Sequence, residues 1–207
     1  MLERVYDAAL EADPDNSDTW ASFALARANT DANTAAVRAA CVAPARRAVA
    51  LRPDDGHHHG LLGMLLHAAG QLTEAKVVLE RSIALGHRGW SHLHLAHALH
   101  DLQRFDEAAA AYGNVPIGAL PGWAAWRIPL LREQRAACLH RAGRRTEALA
   151  AYTEVLERFE RALDAGLDAR SSPVLSLGRP NYLLDDLEDF PELRARAESV
   201  VKRLDEA

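Results

Sequence analysis

Three segments of this 207-residue chain line up without gaps, and that alignment limits what the chain can fold into more than any other feature. They are His67-Ala-Ala-Gly-Gln-Leu-Thr-Glu74-Ala75, His100-Asp-Leu-Gln-Arg-Phe-Asp-Glu107-Ala108 and His140-Arg-Ala-Gly-Arg-Arg-Thr-Glu147-Ala148. Twelve residues before each of these alanines stands a small residue, Gly63, Ala96 or Ala136; nine before stands Leu66, Leu99 or Leu139; four after stands Leu79, Tyr112 or Tyr152. Small residues recurring at matched places imply closely crossing helices, one of which must offer a side chain no larger than a methyl group. The polar centre of each segment reads as a short turn, and Thr73, Asp106 and Thr146 are expected to cap the helix that follows. Each copy is therefore a helix–turn–helix hairpin.

Composition agrees. Hydrophobic residues make up 49% of the chain but aromatics only 6%, so the apolar excess lies in Ala and Leu. These are strong helix formers suited to close helix contacts, which predicts an all-α protein.

On these residues the chain resembles the tetratricopeptide repeat (TPR) family. Leu62-Gly63 with Leu66 matches the family's first helix and Ala75 with Leu79 its second. Trp20, Phe23 and Ala24, introduced by Asp13-Pro14-Asp15-Asn16, look like an earlier first helix, and Arg52-Pro53-Asp54-Asp55 resembles the junction into the next copy. The resemblance covers roughly residues 1–165 and implies a right-handed superhelical solenoid of antiparallel hairpins, about four repeats with capping helices. The expected layout is a single domain over 1–207: residues 1–14 form a half-repeat or cap, or mark the chain as part of a longer protein. Residues 15–53, 54–87, 88–115 and 120–165 form repeats, and 171–207 form a loop and C-terminal capping helices. The copies are not uniform. The alanines at 75 and 108 are 33 residues apart and those at 108 and 148 are 40 apart, with the extra residues around Val115–Gly122. The second helix of the first copy is expected to be lengthened, or broken near Pro44.

A net charge of −5, with Lys76 and Lys202 the only lysines, argues against phosphate recognition, so no nucleic-acid partner is expected. Cys41 and Cys138 fit no metal or redox spacing and read as buried thiols in a reducing compartment. No signal peptide and no apolar stretch long enough for a membrane span is evident, so the expected location is the cytoplasm, with no membrane partner. The arginine- and alanine-rich composition suggests a bacterial source.

The histidines suggest a site. His67, His100 and His140 hold one slot in three copies, and His97 and Met64 stand one turn before that slot. The resemblance implies a concave groove lined by first helices, in which His57, Met64, His67, His94, His97, His100 and His140 contact an unidentified peptide or protein. The bland alternative is a set of polar residues on a wet surface. Trp123 and Trp126 share one helical face and either cover the irregular junction or form a binding hot spot. Arg132, Arg135, Arg141, Arg144 and Arg145 are basic, and Asp185-Asp186-Leu187-Glu188-Asp189 is acidic; both read as solvated faces. No phosphate loop, nucleophile elbow or His-Glu-x-x-His helix is present, and Ser91 beside His92 lacks a matched acid. The expected function is thus a non-catalytic interaction scaffold without cofactor or metal. The alternatives are a metal- or pH-responsive regulator acting through the histidines, and a subunit self-associating through its terminal helices.

Overall fold

Backbone turns, more than side-chain caps, set the hairpins. A computed structural model describes residues 2–29, 34–120, 127–167 and 181–206, and among them the regular structure is helical. The chain divides at Arg104/Phe105 into two compact units.

The first unit contains α1 (Leu2–Ala12), α2 (Ser17–Ala28), α3 (Ala35–Leu51), α4 (Gly56–Ala68), α5 (Leu72–Ala84) and α6 (Trp90–Asp101). Each helix packs on the next, and α4 also touches both α2 and α6, so alternate helices form one layer. Of the first helices, α2 and α4 carry side-chain caps, whereas α6 starts at Gly89 without one. Asn16 accepts a hydrogen bond from the Thr19 N–H at 2.9 Å, and Asp55 accepts from His57 at 2.8 Å and His58 at 3.2 Å. The helix α3 is lengthened, not broken: it runs 17 residues with Pro44 inside it. The core between the layers is built from Ala24, Cys41, Ala45, Leu62, Leu65, Leu66, Ala75 and Leu79.

The second unit contains α7 (Phe105–Gly113), a 3-10 turn at Ile117–Ala119, α8 (Arg127–Arg141), α9 (Arg145–Asp164), α10 (Asn181–Asp186) and α11 (Pro191–Glu206). Here α8 lies between α7 and α9, while α11 packs on both α9 and α10. Tyr112, Leu131, Cys138, Tyr152, Leu156, Phe159, Leu187 and Phe190 are buried within it.

The repeated turns differ from expectation at one point. Thr73, Asp106 and Thr146 are not caps; each is the second residue of its helix, and the capping places of α5 and α9 fall on Gln71 and Arg144, which make no side-chain cap bond. The reason is a tight backbone closure. Gly70 and Gly143 adopt left-handed φ of 76° and 77°, and Gln103 takes 59° at the equivalent place. Gly70 N–H donates to His67 C=O and Gln71 N–H to Leu66 C=O, both at 2.9 Å; the same pair of bonds recurs at Gln103/Arg104 and at Gly143/Arg144. This closure leaves three residues between helices and satisfies the last carbonyls of the first helix.

The small residues do the work expected of them. A β-carbon on Gly63 would stand 2.5 Å from Leu79 Cγ, and Ala75, Ala96, Ala108, Ala136 and Ala148 are fully buried. Paired antiparallel helices therefore repeat as a stack.

Candidate functional site

Helical spacing aligns three stripes on the layer formed by α2, α4 and α6. Residues three, four and seven apart share one face of a helix. On α2 that face carries Asp18, Ser22 and Leu25, the last 40% exposed. On α4 it carries His57, Leu61, Met64 and His67, and on α6 it carries Trp90, His94, His97 and Asp101. A cleft of about 90 Å³ between α2 and α4 is lined by Asp18, Ala21, Ser22, Leu25, His57, His58 and Leu61.

Between α4 and α6 the rings touch. Trp90 stacks on His94 with centroids 6.3 Å apart, His94 meets His97 edge-on at 6.0 Å, and His97 lies 6.1 Å from His67 of α4. His67 Nε2 is hydrogen-bonded to Asp101 at 2.8 Å, and His100 Nδ1 reaches the other oxygen of the same carboxylate at 3.0 Å. Partial burial opposes ionisation of Asp101. The bonds from His100 and then His67 outweigh it and hold the carboxyl below the ordinary aspartate value.

The repeated histidine slot is thus a joint. His67, His100 and His140 lie in the last turn of α4, α6 and α8. In the second unit His140 Nε2 pairs with Asp189 at 3.0 Å and its ring meets Phe190 edge-on at 4.9 Å. Ala137, one turn before it, is buried, so the second unit does not repeat the histidine pair found on α6. Trp123 and Trp126 lie outside the described residues.

His57 is exposed, edge-on to His87 at 5.4 Å. His87 leads inward to a buried hydroxyl pair: its Nδ1 is hydrogen-bonded to Ser91 Oγ at 2.7 Å, Ser91 Oγ to Ser82 Oγ at 2.8 Å, and Ser82 Oγ donates to Gly56 C=O at 2.6 Å. Burial, with the charge of His57, pushes the His87 pKa down. Ser91 is therefore joined to His87, not to its neighbour His92. Both hydroxyls are fully buried, so they tie α4, α5 and α6 together and offer no nucleophile to a substrate. Among the described residues no group of three or more His, Cys, Asp or Glu could hold a metal ion. Cys41 and Cys138 are free and buried, and burial pushes the Cys138 thiol up to about 11. No helix of the described residues is long and apolar enough to cross a membrane.

Sequence spacing located the histidine slot but not its carboxylates. Asp101 directly follows His100 and gave no separate signal, while Asp189 was hidden in an acidic run that reads as solvated. Trp90 and Leu25 were also missed, because neither belongs to the repeated pattern.

No family model matches the chain, and no curated protein does. Solved structures do. MamA is 20% identical, with 78% of this chain and 82% of that chain covered and a TM-score of 0.65. YrrB, a TPR protein with an unusual peptide-binding site, is 16% identical, with 94% and 97% covered and a TM-score of 0.59. Human IFIT1, solved as a dimer with m7Gppp-AAAA, is 20% identical, with 98% of this chain and 45% of that chain covered and a TM-score of 0.59. This last likeness overturns the expected exclusion of nucleic acid, since a protein of the same fold is seen with RNA. Net charge sums the whole surface, whereas an RNA end can be held by a local set of contacts, so a mildly acidic total excludes nothing. The helix pairs, their turns and these neighbours together give the chain a TPR-like helical-repeat fold.

Proposed function

We propose that the chain is a non-catalytic scaffold that holds a peptide or an extended protein segment along the layer of α2, α4 and α6. The observation that carries this reading is the ring-to-ring run Trp90, His94 and His97 with His67, beside the partly buried Met64. Imidazoles donate and accept hydrogen bonds, which suits the alternating N–H and C=O groups of an extended backbone. The indole and the thioether add apolar contact at small entropic cost. The peptide-binding site of YrrB, a protein of this fold, supports the same reading.

The test is capture from the source lysate with the native protein and with a His94→Ala/His97→Ala variant, whose helix content is checked by circular dichroism. A protein kept by the native chain and lost by the variant supports the groove. A protein kept equally by both leaves scaffolding in place but moves the site elsewhere. Retention of RNA alone, lost on nuclease treatment, overturns the reading.

A further inference from the structure

Three hydrogen bonds run in series from the turn between α5 and α6 into α4, and the series ends on a carbonyl. Gly56 C=O can only accept, so the hydroxyl proton of Ser82 is committed to it at 2.6 Å. Ser82 Oγ then has only lone pairs to offer Ser91 Oγ, 2.8 Å away, and Ser91 donates to Ser82. With its own proton used, Ser91 Oγ accepts from His87 Nδ1 at 2.7 Å. His87 Nδ1 therefore carries the ring proton, and in the neutral ring Nε2 is bare. The opposite tautomer would leave one of the three short contacts without a hydrogen. Both serines are fully buried, where such a loss is costly.

Gly60 makes room for this arrangement: a β-carbon there would stand 2.6 Å from His87 Nδ1 and 2.8 Å from Ser91 Oγ. The backbone fixes the ring as well, since His87 N–H donates to Ser82 C=O at 3.1 Å. The ring's hydrogen bonds leave from Nδ1, to Ser91 and, at 3.4 Å, to Ser82 Oγ. Nε2 points away from the serines, and the exposed His57 ring lies edge-on to this half-buried imidazole at 5.4 Å. His57 in turn lines the cleft between α2 and α4 with Asp18 and Leu25, so His87 extends that layer from the turn before α6. Burial first, then the charge of His57, favours the neutral ring, and Nε2 keeps its lone pair near neutral pH.

We propose that His87 is a specificity-determining residue of the peptide groove: its Nε2 is a fixed hydrogen-bond acceptor that takes an N–H of the bound segment. This rests on the groove reading and deepens it. A carbonyl set against the bare nitrogen would place two acceptors together, so that arrangement is rejected. N–H and C=O alternate along an extended backbone, and one fixed acceptor therefore selects the register in which the segment lies.

The test has two arms on the whole chain. Nitrogen–proton correlation spectra of the imidazole rings, taken slightly above neutral pH, read the tautomer. The expected result is a protonated Nδ1 and a bare Nε2 on His87. In Ser82→Ala the Ser91 hydroxyl is released to donate to Nδ1, and a measurable share of the ring should carry its proton on Nε2. In the second arm a peptide is selected on the native chain from a random-sequence display library, and its backbone N–H groups are replaced one at a time by N-methyl. One replacement should weaken binding to the native chain about tenfold and cost nothing further in His87→Ala. If His87→Ala does not fold, Ser82→Ala is the comparison. A protonated Nε2 in the native chain, or a tautomer indifferent to Ser82→Ala, overturns the fixed acceptor and leaves the groove standing. A scan in which each replacement weakens native and variant alike overturns the role of His87 in docking. If no peptide is selected, the groove reading falls, and this role with it, whatever the tautomer.

Discussion

Gly63 shows what a single repeated position does. Its absent side chain is the space that Leu79 occupies, with Leu79 Cγ and Cδ2 2.5 and 2.7 Å from where a β-carbon would stand. Alanine is the better helix former by about 1 kcal/mol. Crowding a fully buried leucine costs about 1–3 kcal/mol, so Gly63→Ala should lower stability by about 1 kcal/mol net, and at most about 2 kcal/mol, in urea unfolding. In a Leu79→Ala background the crowding is gone, and the same change should be neutral or stabilising. That reversal separates packing from backbone effects. The notch was legible in the sequence because its spacing recurs in three copies and reflects one local cause, the close crossing of two helices. The carboxylates that meet the histidines were not legible in the same way. Asp101 and Asp189 arrive from elements whose placement depends on the stack itself, and no fixed spacing joins them to His67 or His140.

At the scale of the element, the hairpins are closed by one turn geometry written with different residues. Gly70 and Gly143 enter the left-handed region freely, but Gln103 enters it at φ 59°, where a β-carbon crowds the backbone. Gln103→Gly should therefore raise stability by about 0.5–1 kcal/mol. The added freedom of the unfolded chain offsets part of the relief. Gly143→Ala should lower stability by about 1 kcal/mol for the mirror reason. Thermal unfolding of both variants checks the pair, and a Gln103→Gly protein less stable than the native one would show that the Gln103 side chain contributes more than its strain costs. Hairpins were legible from sequence, but their exact starts were not. The threonines look like caps by residue type, yet the two backbone bonds that close the turn move the helix start two residues earlier than a side-chain cap would.

For the whole molecule, the half-buried histidines of the first unit and the buried Glu133 of the second titrate with opposite sign. In the first unit burial lowers the pKa values of His87 and His92, so the folded unit gives up those protons more readily than the unfolded chain. Their contribution is present above about pH 6.5 and is lost as pH falls through the folded values. Asp55 and Asp101, both lowered, add a further loss below about pH 4. In the second unit Glu133 is raised to about 8. Its contribution is complete below the unfolded glutamate value and disappears as pH rises toward 8. Between pH 6.5 and 8 that is about 1.5 pH units at about 1.4 kcal/mol each, or roughly 2 kcal/mol. Acid should therefore weaken residues 2–104 first and alkali residues 105–206 first. Proteolysis after brief heating, with the fragments assigned by mass spectrometry, reads which unit opens at pH 5 and at pH 9. Glu133→Gln should abolish the alkaline weakness while leaving the acid one intact. If both units instead open together at each pH, or if alkali attacks residues 2–104 first, then the buried Glu133 does not govern the alkaline limit of this fold.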